Sequence, residues 1–278
     1  MTPDQYCRQK AVAQSGSSLY YSLLFLPPAR RRAITAVHAF RREIGDIVAE
    51  CSDTGVARTK LAWWRLQIAA IDTGRPQHPV AQALVDATHA FDLPATDFHE
   101  IIDGLEAILT RRRCVDFESL RLTCHSVGGA IGRASARILG FTEPDTLQYA
   151  QTLGIACRLT GIIRDVGSDA RRDRIYLPLD EIARYRVTVA DILQARESDG
   201  FRQLMEFQID RALRYYRDAL ALLPARDRNS QCAGRTMAAI HQALLHEIRT
   251  EGSRVLTQCT SLTPLRKLWI AWGIWVTK

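Results

Sequence analysis

Residues 158–178 read Arg158-Leu-Thr-Gly161-Ile-Ile-Arg164-Asp165-Val-Gly-Ser-Asp169-Ala-Arg-Arg172-Asp-Arg174-Ile-Tyr176-Leu-Pro178. They close an apolar phrase of helical spacing that covers about 145–166. On a helix Asp165 and Asp169, four residues apart, project from one face with about 6 Å between their carboxylates. Such a pair suits a hard Mg²⁺ ion, which takes a few carboxylate oxygens and completes its shell with substrate phosphate oxygens. Arg164, Arg171, Arg172 and Arg174 crowd the same place and have the charge to neutralise a departing diphosphate. The spacing alone is equally that of a solvated Asp/Arg helix end.

Working outward, helical phrases cover about 29–50, 60–72, 79–91, 97–110, 117–139, 145–166, 201–223 and 232–257. In the first of them Ile34, Val37, His38, Phe40, Ile44, Ile47 and Val48 fall near one face. Pro27, Pro28, Pro94, Pro144 and Pro264 mark helix changes, because proline restrains the residue before it and donates no hydrogen bond. No strand run interrupts the series, so the fold class is all-α. No repeat or linker divides it, and residues 1–278 read as one domain. Residues 173–200 are polar, aromatic and proline-stopped, and read as a loop or lid. The run Gly128-Gly129-Ala130-Ile131-Gly132 costs roughly 1 kcal/mol per glycine in a helix, which close helix packing or room for a bulky ligand would offset.

Composition sets the outer bounds. The 278 residues are 47% hydrophobic and 24% charged, which excludes intrinsic disorder. Lys and Arg exceed Asp and Glu by 37 to 30, a net charge of +7 carried mostly by arginine, which favours an anionic partner. Seven scattered cysteines with no C-x-x-C pair suggest neither a disulfide framework nor a zinc site, and point to a reducing, cytoplasmic setting. The first ten residues do not read as a secretory signal, and no apolar run is long enough to span a membrane. Leu268-Trp-Ile-Ala-Trp-Gly-Ile-Trp-Val276, behind Arg266 and Lys267, reads either as a peripheral membrane contact, its cations meeting anionic lipid, or as a terminal helix docked on the core.

The wording R-D-V-G-S-D-A-R-R-D-R-I-Y-L-P resembles the second aspartate motif of the squalene/phytoene synthase family. Further phrases carry the resemblance along most of the chain: Ser15-Gly-Ser17-Ser18-Leu-Tyr-Tyr-Ser22, His38-Ala-Phe-Arg-Arg42-Glu43, Leu61-Ala-Trp-Trp-Arg65 and the stretch from Ser261 to Trp272. The last two look most like the bacterial presqualene diphosphate synthases of hopanoid and squalene synthesis. The resemblance implies an all-α isoprenoid synthase fold around a central cavity, where two aspartate-rich motifs bind Mg²⁺ and the diphosphates of two prenyl donors. It implies head-to-head condensation of two farnesyl diphosphates to presqualene diphosphate, or to squalene if NADPH-dependent reduction follows. Asp165 and Asp169 then match metal ligands, with Arg164, Arg172, Arg174 and Tyr176 beside them. Ser17, Ser18 and Arg42 match diphosphate-binding positions, and Tyr21 lies in the same segment.

The chain departs from that pattern at the first aspartate motif, which reads Gly45-Asp46-Ile-Val-Ala49, so both outer carboxylates are absent and Asp46 is the remaining metal candidate. Glu43, Asp46 and Glu50 share a face, rotated about 100° from that of positions 45 and 49. His38, His125 and His241 stand where the family places tyrosines, and read as half-buried hydrogen-bonding groups or, if converged, as a zinc site. The Q-L-T-N phrase of the family is here Arg158-Leu-Thr-Gly161. Three functions follow: a Mg²⁺-dependent prenyltransferase, a non-catalytic homologue that binds lipid or assembles with partners, and a basic nucleic-acid binder using Arg30-Arg31-Arg32 and Arg111-Arg112-Arg113. No nucleic-acid-binding motif supports the last.

Overall fold

The computed structural model describes residues 1–12, 17–51, 53–110 and 113–277. Ser15 and Gly16 of the serine phrase, and Arg111 and Arg112 of the second arginine run, lie outside the described residues. The chain forms α1 (Pro3–Val12), α2 (Ser18–Leu23), α3 (Pro28–Glu50), α4 (Thr54–Ala69), α5 (Pro79–Phe91), α6 (Ala95–Thr110), β1 (Arg113–Cys114) and α7 (Phe117–Cys124). A π-helical turn (His125–Gly129) joins α7 to α8 (Ala130–Leu139), and α9 (Asp145–Ala170) follows. Then come β2 (Ile175–Pro178), α10 (Leu179–Arg184), α11 (Val189–Leu193), α12 (Asp199–Leu222), α13 (Cys232–Thr250) and α14 (Pro264–Val276).

Local chemistry accounts for the boundaries. Prolines occupy the first turn of α3, α5 and α14, where a missing N–H costs nothing. The Thr263 hydroxyl caps α14 by accepting from the Arg266 amide at 3.3 Å. At the end of α5, Asp92 turns left-handed at φ 50°, a conformation that a short polar side chain tolerates, just before Pro94.

The all-α expectation holds with two corrections. Strands β1 and β2 pair in parallel, Arg113 opposite Ile175, and the Arg113 guanidinium donates to the backbone oxygen of Asp173 at 2.6 Å. Residues 173–200 are a packed wall, neither loop nor lid. Ile175, Leu177, Ile182, Val187 and Ile192 are buried there, and Glu181 is buried against Arg211 and Gln208 of α12. The Arg211 guanidinium also stacks 3.7 Å from the Phe117 ring centre. Helical spacing overlooked this segment because its elements are only four to six residues long. The phrase expected to reach residue 257 ends at Thr250, where Gly252 and Ser253 take positive φ.

Two apolar clusters form the core, one built mainly from α1 and α3–α6, the other mainly from α9–α13, and Tyr176 packs against both. Helix α9 joins them, packed on α8, α12, α13, β2 and the π-turn. Its approach to the π-turn is backbone to backbone. A Cβ at Gly154 would overlap the Gly128 carbonyl, and one at Gly132 would overlap the Ala150 carbonyl, so the small-residue run serves packing. The loop before α9 is fixed by buried Asp227, whose carboxylate accepts from the Thr142 and Glu143 amides at 2.8 and 2.9 Å and from the Thr146 hydroxyl at 2.7 Å. Burial pushes that carboxyl up, yet these bonds outweigh it and hold the pKa at about 2.

Two substitutions on α9 test this packing. Gly154→Ala is expected to destabilise the protein by about 2–4 kcal/mol, because backbone must move. Gly161→Ala, where a Cβ meets nothing within 4 Å, is expected to be neutral or to stabilise by roughly 0.5–1 kcal/mol. Urea denaturation of both variants checks the contrast, and equal effects would contradict it.

Candidate functional site

Helix α9 is buried on nearly every side except one stripe. Leu159, Thr160, Ile162, Ile163, Val166 and Gly167 are buried, while Arg158, Gly161, Arg164, Asp165, Ser168 and Asp169 keep accessible surface at the three- and four-residue steps of one face. Helix α3 shows the same pattern, with His38, Arg41, Arg42, Gly45 and Ala49 accessible among buried neighbours. Burial is nonetheless the dominant influence on His38, Arg41, Asp169 and, on α13, His241. Side chains that are deep in the protein yet retain accessible surface line an internal cavity. The two walls are linked by Arg174, which donates to the Val48 carbonyl of α3, and by the mutual repulsion of Arg41 with Arg158 and Arg164.

The second aspartate motif is assembled. Arg164 grips Asp165 with two parallel bonds of 2.7 Å. Asp169 stands one turn on and shares a small pocket with Arg174, Tyr176, Ile175 and Leu177. Burial, then the Asp165 charge, raise the Asp169 carboxyl to about 6 against the pull of Arg158, Arg172 and Arg174. Tyr176 lies under the Arg158 guanidinium, 5.6 Å from it, and its hydroxyl accepts from Arg174 at 3.4 Å. Arg172 is exposed. Gly167 brings this motif against residues 255–256: its amide donates to the Val255 carbonyl at 3.2 Å, and a Cβ there would overlap the Leu256 carbonyl.

The other expected residues are placed differently. Asp46 is half exposed and sits 2.8 Å from Lys10, which also lies 3.2 Å from Glu43. Arg42 donates to the Lys10 carbonyl at 2.9 Å. The Ser17 hydroxyl caps α2 by accepting from the Tyr20 amide at 3.2 Å, and Ser18 is the first residue of that helix, which packs on α13 and α14. Positions 45 and 49 offer no donor atom, and a Cβ at Gly45 would meet only open space.

Two buried carboxylates that raise each other's cost of ionisation, on one face of one helix, fit a hard divalent cation with oxygen ligands. The facing wall has no matching carboxylate pair, and among the described residues no group of three or more His, Cys, Asp or Glu side chains could hold a metal. The histidines do not converge on a zinc site: His241 Nδ1 lies 3.0 Å from the Tyr216 hydroxyl, and His125 Nδ1 is 3.2 Å from Glu100. Burial, then neighbouring cations, push His38 and His241 down to about 3, so both stay neutral at physiological pH.

Sequence reading missed two cations of this site. Arg41 follows Phe40 on the accessible stripe of α3, and its position one helical turn before Gly45 was the signal that could have found it. Lys267, expected to meet lipid, is 7% accessible and turned inward, lowered by burial and by Arg164. Arg266 is ion-paired with Glu247. The outer face of α14 instead carries Leu265, Trp269, Trp272 and Val276, all at least half exposed, while Trp275 packs on Phe25 at 5.4 Å. No described helix is long and apolar enough to cross a membrane.

Comparison with known proteins gives a consistent result. Residues 12–268 match the family model described as squalene/phytoene synthase. The 15-cis-phytoene synthase of Synechocystis sp. is 33% identical over 96% of this chain and 84% of its own length. The phytoene synthase of Arthrospira platensis is 34% identical over 95% and 89%. Among solved structures, a dehydrosqualene synthase superposes with a TM-score of 0.84 at 22% identity over 99% of this chain and 96% of its own. Squalene synthase HpnC from Alicyclobacillus acidocaldarius superposes with a TM-score of 0.76 at 22% identity, over 90% and 94%.

The raised Asp169 carboxyl has a thermodynamic consequence. Its folded pKa of about 6 exceeds the unfolded value, so its contribution to stability is fully present below about pH 4 and is lost as pH rises through 6. Asp169→Asn is therefore expected to melt several degrees above the parent at pH 7.5 in EDTA, from up to about 3 kcal/mol before screening, and level with it at pH 4. Thermal melts at the two pH values check this, and a pH-independent difference would contradict it.

Proposed function

Since the chain belongs to the squalene/phytoene synthase family, we propose that it is a Mg²⁺-dependent synthase joining two identical prenyl diphosphates head to head in the cavity between α3 and α9. The supporting observation is the preserved Asp165/Asp169 face, with Arg164, Arg174 and Tyr176 around it, on a helix otherwise buried. Relatives at 33 and 34% identity named phytoene synthases favour the C20 donor, geranylgeranyl diphosphate, and phytoene as product. The C15 donor, with presqualene diphosphate or squalene as product, is the second reading, favoured by the wording of residues 61–65 and 261–272. NADPH enters only if that second product is reduced to squalene.

In this reading Asp165 and Asp169 hold Mg²⁺, which supplies Lewis-acid neutralisation of the leaving diphosphate. Arg164 orients Asp165, and Arg172 and Arg174 add positive charge at the point where negative charge develops. The apolar wall beyond, with neutral His38 and His241, keeps water and stray bases away from the allylic cation until the second double bond attacks it.

Incubation with Mg²⁺ and either prenyl diphosphate, followed by mass spectrometry of the extracted lipid, tests the proposal. A head-to-head product is expected, with Asp165→Asn and Asp169→Asn each losing at least about a hundredfold in rate. A family homologue that only binds lipid would retain the prenyl diphosphate and release no diphosphate, and that result would replace the enzymatic reading.

We further propose that the outer face of α14 rests on a lipid surface, since exposed Trp269 and Trp272 flanked by Leu265 and Val276 suit the bilayer interface. Sedimentation with phosphatidylglycerol-containing vesicles is expected to pull down the parent and to fail for Trp269→Ser/Trp272→Ser. Equal sedimentation of both proteins would remove the face from consideration.

A further inference from the structure

The cavity gathers more positive charge than its carboxylates can balance. Arg158 crosses from α9 over Tyr176, and its Nε is buried with no hydrogen-bond partner. Arg41 faces it from α3 and makes no hydrogen bond or ion pair among the described residues. Both sit beside open space: Gly45 is one turn beyond Arg41, Gly161 is three residues beyond Arg158, and a Cβ at either meets nothing within 4 Å. The nearby carboxylates are already engaged, Asp165 by Arg164 and Asp46 by Lys10. Lys267 and Arg164 add further charge at the α14 side.

Guanidinium groups left without partners beside empty space demand an anion with several acceptor oxygens. We propose that Arg41 and Arg158 form a clamp that binds the diphosphate of a prenyl donor directly, without metal, on the wall opposite Asp165 and Asp169. The inference rests on the reading that the cavity takes prenyl diphosphates. It changes the chemistry of one wall: where the family pattern would have a carboxylate hold diphosphate through Mg²⁺, here a cation holds it by charge-assisted hydrogen bonds. The space left by Gly45 and Gly161 is what lets the phosphate oxygens reach the two guanidiniums.

Isothermal titration of inorganic pyrophosphate into the full chain in EDTA tests the clamp. The parent is expected to bind. Arg41→Gln and Arg158→Gln are each expected to weaken binding about ten- to a hundredfold, the worth of a charge-assisted hydrogen bond or two. Gly45→Asp, whose carboxylate enters the open space beside Arg41, is expected to weaken it as well, whereas Arg226→Gln on the distant surface leaves it unchanged. Thermal melts without anion separate the clamp from a structural role. Removing one of two repelling buried charges should leave each arginine variant at or above the parent's melting temperature, and a loss of stability in both would overturn the assignment. Absence of pyrophosphate binding in EDTA, or binding indifferent to the double variant, would also overturn it. A chain that makes hydrocarbon with Mg²⁺ but binds no pyrophosphate in EDTA loses the clamp and keeps its proposed function. One that binds through Arg41 and Arg158 but forms no product keeps the clamp and loses that function.

Discussion

The backbone contact between α9 and the π-turn governs what the rest of the molecule can do. With Gly128 against Gly154 and Gly132 against Ala150, no side chain separates the two segments, so α9 is seated at the depth at which a single stripe of its surface stays uncovered. A π-turn is an expected device at such a place, because it inserts a residue into the helical ladder and lets the α7–α8 unit change direction. Asp227 fixes the loop before α9 and Gly167 presses its far end against residues 255–256, so the stripe carrying Asp165 and Asp169 is held at both ends.

Electrostatics then decide the character of that stripe. Carboxylates crowd on the α9 wall and raise one another, whereas cations dominate the α3 and α14 walls, where Arg41 is lowered to about 10, first by burial and then by other arginines. Each group alone would be costly in a buried site. A polyanion with its counter-cation resolves both problems together, which is the physical sense in which the empty cavity is complementary to a metal-bound diphosphate. The apolar lining between the polar ends gives the hydrocarbon tails a place to lie.

Much of this was legible in the sequence, and the exceptions have physical causes. The start of α5 at Pro79 and the long phrases of α3, α9 and α12 followed from helical spacing and proline. The aspartate pair was visible from its spacing, and the missing carboxylates at positions 45 and 49 from the family wording. The packed segment β2–α10–α11 was not, because its burial depends on long-range partners such as Arg211 and Phe117. Lys267 was misread because a short apolar helix does not announce which face meets the core, and the docking of α14 on α13 turns the lysine inward and the tryptophans outward. Arg41 was overlooked because a second arginine beside Arg42 reads as part of a charged face until α9 is seen opposite it.

A crystal structure with geranylgeranyl thiodiphosphate and Mg²⁺ tests the central claim most directly, since it locates the ligand without requiring turnover. The account predicts the diphosphate between the α9 stripe at Asp165–Asp169 and the α3 wall at Arg41, with the prenyl chain running inward past His38. A ligand found on the outer face of α14, or a cavity that stays empty at saturating concentration, would contradict it and leave the chain a lipid-associated homologue without this chemistry.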